Sequence, residues 1–494
     1  MAALPAAALL AGVPGAKARA ASPPFGLDAV AGMAQARASR PYQPPAADLP
    51  ASLAALTYDD YRDIRFSPDH ALWAKEGLPF RLQFFHRGGY FKDRVDLYEV
   101  KDGRASPIAY SPGQFSFGRN RLKGLGPHLG FAGFRIHYRL NRPDYFDEVA
   151  VFLGATYFRA VARHMFYGLS GRGFSIGTGG VEEFPAFRAF WIERPSPQAT
   201  SLTLYALMDG PSAAGAFRFV VTPGETTVFD VAARIWPRRE LTRAGIAPLT
   251  SMFLYGVDPA RRFDDFRPQV HDSDALSVAN GAGERLLRPL INPRAVQTST
   301  FADLDPKGFG LIQRERDFSA YEDLEARYEA RPNLWVEPRG AWGAGEVRLV
   351  EIPSQSEADD NIAAFWAPAA PLAAGREAAF DYRLHWGPER PAPGLARVID
   401  WRTGEGGVPG GPPAGGKRRF VLDFEALEGA AVTAEASASA GVISEAVLHP
   451  NPLTGGQRLS FQFDPAGAPV AELRAQLRRS GTPCSEVWLY RWLA

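Results

Sequence analysis

The runs Leu202-Thr203-Leu204-Tyr205-Ala206 and Glu346-Val347-Arg348-Leu349 alternate with period two, as strands do when successive side chains point to opposite faces of a sheet. Working outward from them, Phe80-Arg81-Leu82-Gln83-Phe84-Phe85 and Phe217-Arg218-Phe219-Val220-Val221 are short apolar runs broken off by Gly, Pro, Asn and Asp. These are strand-and-turn signals. Helical patterns are few: a short one from Phe25 to Ala38, and amphipathic ones from Asp317 to Ala330 and Val470 to Arg479. The chain is therefore expected to be mainly β, and it shows no tandem repeat of the kind that builds solenoids.

At 494 residues the chain is too long for one ordinary domain. Residues 21–50 are rich in Ala and Pro and read as a wrapping N-terminal arm. The composition breaks at Gly387-Pro388-Glu389-Arg390-Pro391-Ala392-Pro393-Gly394, where prolines stiffen the chain and glycines bend it, so a linker is placed at 387–394 between domains at 51–386 and 395–494. The last of these carries strand-like runs at Lys417–Phe424, Gly441–His449, Gln457–Phe463 and Glu486–Leu493, with a long Gly/Pro loop at 404–416. That size and spacing suit an immunoglobulin-like sandwich.

The 33 Phe, 16 Tyr and 10 Trp suit strands, and aromatic rings also stack on the apolar C–H faces of sugars, although most are expected in the core. A net charge of +1, with no long basic stretch interleaved with aromatics, argues against nucleic acid as a partner. Cys484 is the single cysteine, so neither an intramolecular disulfide nor a Cys-based zinc site is available. The first twenty residues combine an apolar run of small residues with Ala18-Arg19-Ala20, an A-x-A cleavage pattern, and read as an export signal. No Lys or Arg precedes that run, so a longer signal upstream is one reading. Beyond it, nothing approaches the ~20 apolar residues needed for a membrane span.

Several chemistries fail on spacing. Gly411-Pro412-Pro413-Ala414-Gly415-Gly416-Lys417 outlines a phosphate loop, but Arg418 stands where Ser or Thr must bind magnesium and the prolines remove backbone donors. Gly124-Leu125-Gly126-Pro127-His128-Leu129 lacks the third glycine of a dinucleotide fingerprint, no G-x-S-x-G elbow occurs, and the eight histidines are scattered. No cofactor is implied. What remains is a pair of acidic clusters in apolar, strand-rich surroundings, His271-Asp272-Ser273-Asp274 and Glu357-Ala358-Asp359-Asp360-Asn361, the second placed on a loop between two core strands. Between them lies a charged, aromatic stretch from Arg314 to Asp323, followed by Tyr328 and Arg331-Pro332-Asn333-Leu334-Trp335. Two separated carboxyl groups are what glycoside hydrolysis requires, one to protonate the leaving oxygen and one to activate water. The same residues also favour ordinary turns, His271 suits a structural role, and calcium is a third use for Asp-rich loops.

The chain resembles the periplasmic glucan biosynthesis protein G/D family. The resemblance is carried by Tyr58-Asp59-Asp60-Tyr61-Arg62-Asp63-Ile64, the run from Phe84 to Phe91 (FFHRGGYF), Gly130-Phe131-Ala132-Gly133-Phe134, and Leu153-Gly154-Ala155-Thr156-Tyr157-Phe158-Arg159. It continues through Phe190-Trp191-Ile192-Glu193-Arg194-Pro195, Pro248-Leu249-Thr250-Ser251-Met252-Phe253, Gly308-Phe309-Gly310-Leu311 and the stretch around Asp360. It implies a large galactose-mutarotase-like β-sandwich with a long cleft, a smaller immunoglobulin-like domain, and a periplasmic role in making osmoregulated glucans, whose backbone is often β-1,2-linked. Some members of the family are inverting endo-β-1,2-glucanases. By position, Asp360 matches the general acid, Asp272 the general base, and Glu357 and Tyr328 neighbours that shape the acid site and proton path. Burial and repulsion by Glu357 and Asp359 are expected to raise the pKa of Asp360. The implied partners are β-glucan and, under an alternative non-catalytic scaffold role, the inner-membrane glucan synthase; oligomeric state stays open.

Overall fold

The computed structural model describes residues 24–257, 263–389, 394–408, 410–411, 414–427 and 431–494. The export-signal reading of residues 1–20 and part of the 387–394 linker therefore lie outside the described residues. The chain is mainly β, as expected, and the strands gather into two large sheets. Ten strands form the first, which runs from Phe80–Phe85 through Gly133–Tyr138, Asp147–Leu153, Tyr157–Ala160, Ser170–Arg172, Ala244–Ser251, Ile362–Pro368 and Ala344–Glu351 to Gln297–Leu304, with Phe174–Ile176 paired at the side of Ala244–Ser251. Fifteen strands form the second. The sheets pack face to face through aromatic side chains. Phe152, on the first sheet, lies 5.6 Å from Phe190 and 5.3 Å from Phe219 on the second. A sandwich of this kind turns one face of each sheet inward and frees the other.

The two alternating runs have different outcomes. Ala344–Glu351 is half-buried as its pattern implies, with Val347 and Leu349 inward and Arg348 partly exposed. Leu202–Asp209 is buried on both faces. Its Leu202, Leu204, Ala206 and Met208 enter the sandwich core, while Tyr205 and Leu207 are covered by Val30 and Ala34 of the helix Leu27–Ala38. The N-terminal arm thus supplies the cover that makes the outer face apolar.

Two helical expectations are overturned. Val470–Arg479 is a ten-residue strand whose Ala471, Leu473, Ala475 and Leu477 all face the core. Its helix-forming residues are overridden because these four positions also recur with period two, and pairing with Val487–Leu493 and Val432–Ala438 buries that face. Asp317–Ala330 forms no long helix; it holds two short 3-10 turns, Phe318–Ala320 and Tyr328–Ala330, around irregular chain. Asp323, Tyr328 and Tyr321 are instead drawn to Arg267, Glu357 and His271 of other segments.

The strand-like runs after residue 394 appear as Arg418–Phe424, Val442–Asn451, Gly456–Asp464 and Val487–Leu493. A four-stranded sheet, Val398–Glu405, Arg418–Phe424, Gly456–Asp464 and Val442–Asn451, packs on Val470–Arg479 and Val487–Leu493 around Phe420, Leu422, Leu473 and Trp488. These last strands are continuous with the large sheet, because Leu286 pairs with Val487 and Leu287 with Trp488 in parallel register. Ala275, Leu287 and Ile312 belong to the same apolar cluster as Phe420 and Trp488, so the core crosses the proposed domain boundary.

Candidate functional site

The end of one strand gathers both acidic segments. Ala244–Ser251 pairs with Ile362–Pro368 in the register Thr250 to Ala363 and Ser251 to Ile362, so the loop 352–361 emerges beside Thr250. The Thr250 hydroxyl donates to Asp360 Oδ2 over 3.2 Å. One residue on, the hydroxyls of Ser251 and Ser273 share a hydrogen bond of 2.7 Å, and the Asp272 backbone N–H donates to the Met252 carbonyl over 2.9 Å. Buried Asn361 closes the base of the loop: its amide oxygen accepts from the Phe253 N–H at 2.8 Å and its amide nitrogen donates to the carbonyls of Phe253 and Ile352.

Asp272 is only 5% exposed and forms an ion pair with Arg331. Burial pushes its carboxyl up to about 6, and the negative charge of Asp360 adds to the rise while the Arg331 guanidinium opposes it. Arg331 is fixed in turn by hydrogen bonds to the Ala326 carbonyl and by stacking over the Tyr328 ring at 4.3 Å. The Tyr328 hydroxyl donates to Glu357 Oε2 over 2.7 Å, and burial followed by that acceptor lifts the phenol well above its usual range. Arg267 reaches the same Glu357 oxygen at 2.7 Å, Asp323 at 2.8 Å and Asp265 at 2.7 Å. Its hydrogen bonds to Asp265 hold that carboxyl down to about 2.

The remaining acidic-cluster residues separate by role. His271 is fully buried between the side chains of Gln313 (2.8 Å) and Gln269 (3.0 Å), and burial lowers its pKa, so it is a core group as the structural reading has it. Asp274 pairs with Arg314 at 2.9 Å, and Asp359 accepts from Ser354 at 2.9 Å. In the first of these loops Asp272 and Asp274 are each held by an arginine. Among the described residues, no cluster of His, Cys, Asp and Glu is placed to hold a metal. The expected burial of Asp360 beside Glu357 and Asp359 is corrected: Asp360 is exposed, because Asp359 turns back to Ser354 and Glu357 is drawn to Tyr328 and Arg267.

Open clefts meet the Asp360 loop. One is lined by Tyr58, Tyr61, Arg62, Tyr90 and Arg135 and touches Ala358 and Asp359. Another is lined by Arg172, Glu182, Phe184, Thr250 and Asp360 itself. Tyr58, Tyr90 and Phe184 are among the few large aromatics left in solvent, whereas most of the aromatic content is in the core. Sequence reasoning did not single out Thr250, Arg267, Arg331 or Phe184 as site residues. No local spacing marks them, since each reaches the site from a different segment.

A profile of the family described as periplasmic glucan biosynthesis protein, MdoG, matches residues 25–492. The chain belongs to this family. It is 53% identical over 468 residues to a glucans biosynthesis protein G of Rhodopseudomonas palustris (strain BisA53), with 93% of this chain and 92% of that protein covered. Similarity extends to proteins of the same name from Shewanella frigidimarina, at 49% identity with 95% of this chain and 84% of the relative covered, and from Vibrio cholerae, at 48% with 95% and 87% covered. In this member of the family, no helix among the described residues is long and apolar enough to cross a membrane.

Proposed function

We propose that the chain acts in the periplasm in making osmoregulated glucan, as an inverting endo-β-1,2-glucanase in which Asp360 is the general acid and Asp272 the general base. The observation that carries this reading is the convergence of two carboxyl-bearing segments on residues 250–252, Asp360 through its side chain and Asp272 through its backbone, with the charge of Asp360 acting on Asp272. Asp272, with a pKa near 6, is ionised at neutral pH and still basic enough to take a proton from water. In the hydrolysis, water adds to the anomeric carbon from the face opposite the leaving oxygen, the glycosidic C–O bond breaks, the leaving oxygen takes a proton from Asp360, and the proton lost by water passes to Asp272. Glucan lying in the clefts covers Asp360 and supplies the desolvation that the free protein lacks.

The exposure of Asp360 also favours a second reading, a non-catalytic scaffold that binds glucan and docks the membrane glucan synthase. Incubating the mature protein and its Asp360→Asn variant with linear β-1,2-glucan separates the two. Oligosaccharide release by the wild type alone, with inverted anomeric configuration first, supports the hydrolase. Binding without release by either protein sinks it in favour of the scaffold.

A further inference from the structure

The groove between Tyr145 and Phe166 takes no part in the reaction just described. It is bounded by these two rings with Asn141, Arg142, Glu148 and His164. Tyr145 keeps 54% of its surface in solvent and Phe166 keeps 48%. Exposed apolar surface gathered at a groove with a polar rim is the kind that binds a ligand.

The wall of the groove is built rather than loose. The Asp147 carboxylate accepts hydrogen bonds from the backbone N–H groups of Leu140 (3.1 Å) and Asn141 (2.9 Å) and from the Asn141 side chain (2.9 Å). The amide oxygen of Asn141 then accepts the His164 N–H at 2.8 Å. This clamp holds His164 at φ 60°, a left-handed conformation that costs a non-glycine residue about 1–2 kcal/mol and persists only where its surroundings enforce it. Beyond the clamp, the Phe166 N–H donates to the Ala330 carbonyl over 3.0 Å, and the Arg327 guanidinium lies 5.3 Å from the Phe166 ring centre. Phe166 therefore rests on the segment that carries Tyr328 and Arg331, the second of which pairs with Asp272. Arg142 stands 5.4 Å over Tyr145.

We infer that this groove is a distal glucan station, where Tyr145 and Phe166 stack on the apolar faces of glucosyl units several residues along the chain from the reacting bond. The inference rests on the proposed function for the identity of the ligand. Aromatic faces suit the C–H surface of a sugar, and the flanking Arg142, Asn141 and Glu148 suit its hydroxyls. A chain that occupies this groove as well as the clefts at the Asp360 loop runs past both carboxylates, which fits internal cleavage of long glucan.

The test compares the Asp360→Asn protein, which does not consume the titrant, with the same protein carrying Tyr145→Ala and Phe166→Ala, each titrated calorimetrically with linear β-1,2-glucan of long chain and with a short oligosaccharide of the same linkage. Both rings are half in solvent, so an unchanged thermal midpoint is expected and verifies the fold. The ratio of long-chain to short-chain affinity should fall about tenfold, which corresponds to about 1.4 kcal/mol, and Phe166→Trp should preserve it. An unchanged ratio overturns the station. Wild type that binds long glucan without cleaving it overturns the hydrolase reading alone, and the affinity ratio still decides the station. Wild type that binds no glucan overturns both.

Discussion

Tyr328 donates its hydroxyl to the Glu357 oxygen that also accepts Arg267, so a buried phenol and a guanidinium meet on one carboxylate of the loop 352–361. This contact ties the irregular segment before Asn333 to the loop bearing Asp360. Tyr328→Phe keeps the buried ring and deletes only the donor. The expected outcome is a loss of about 10²-fold in kcat on β-1,2-glucan, with a stability cost of about 1 kcal/mol for the missing hydrogen bond. Steady-state kinetics and chemical denaturation check the two values.

Arg267 touches no reacting atom in the proposed mechanism and acts by positioning Glu357. Arg267→Ala releases Glu357, Asp323 and Asp265 together. Its expected signature is a kcat lowered about tenfold or more with glucan affinity nearly retained, and partial recovery in Arg267→Lys, which restores a charge without the planar fork. A purely structural role would lower the amount of folded protein and leave its kcat unchanged.

In the proposed mechanism Asp272 sets the acidic limb of the pH profile. As a base with a pKa near 6, it must be ionised, so activity should fall about tenfold per pH unit below about 6. Stability runs the other way. The folded-state pKa lies above the ordinary 3.8, so between about pH 4 and 6 the folded chain binds more protons than the unfolded one, and stability falls as pH rises through that window. Asp272→Asn should abolish hydrolysis and flatten the dependence of stability on pH across that window, as thermal unfolding at several pH values checks.

The strand Val470–Arg479 offers a test of the fold. Leu473→Ala should cost about 2–5 kcal/mol because the side chain is fully enclosed between sheets. Glu472 faces outward, so Glu472→Thr gives up only its ion pair with Arg491 and should cost no more than about 1 kcal/mol. Urea unfolding of both variants measures the contrast.

A chain ending at residue 394 should fail to fold as a soluble unit. Ala275, Leu287 and Ile312 would lose their cover, and Leu286–Leu287 would become a bare sheet edge. Recovery of a cooperative, soluble truncated chain would show that the two halves are independent.

The sequence by itself determined the β class, the arm helix, most C-terminal strands and the two acidic segments, because period-two patterning, turn residues and charge are local signals. It misread Val470–Arg479, where helix-forming residues share their apolar positions with a period-two strand, and Asp317–Ala330, whose charges are spent on distant partners. It placed Asp360 and Asp272 on separate segments but could not join them. Only the tertiary structure decided that Thr250, Ser251 and Met252 hold both, that Arg331 arrives beside Asp272, that Arg267 and Tyr328 share Glu357, and that Asp360 stays in solvent. These are contacts between residues far apart in the chain. They depend on which strands pair and in what register, and burial, which sets the proton affinity of Asp272, exists only once the sheets have packed.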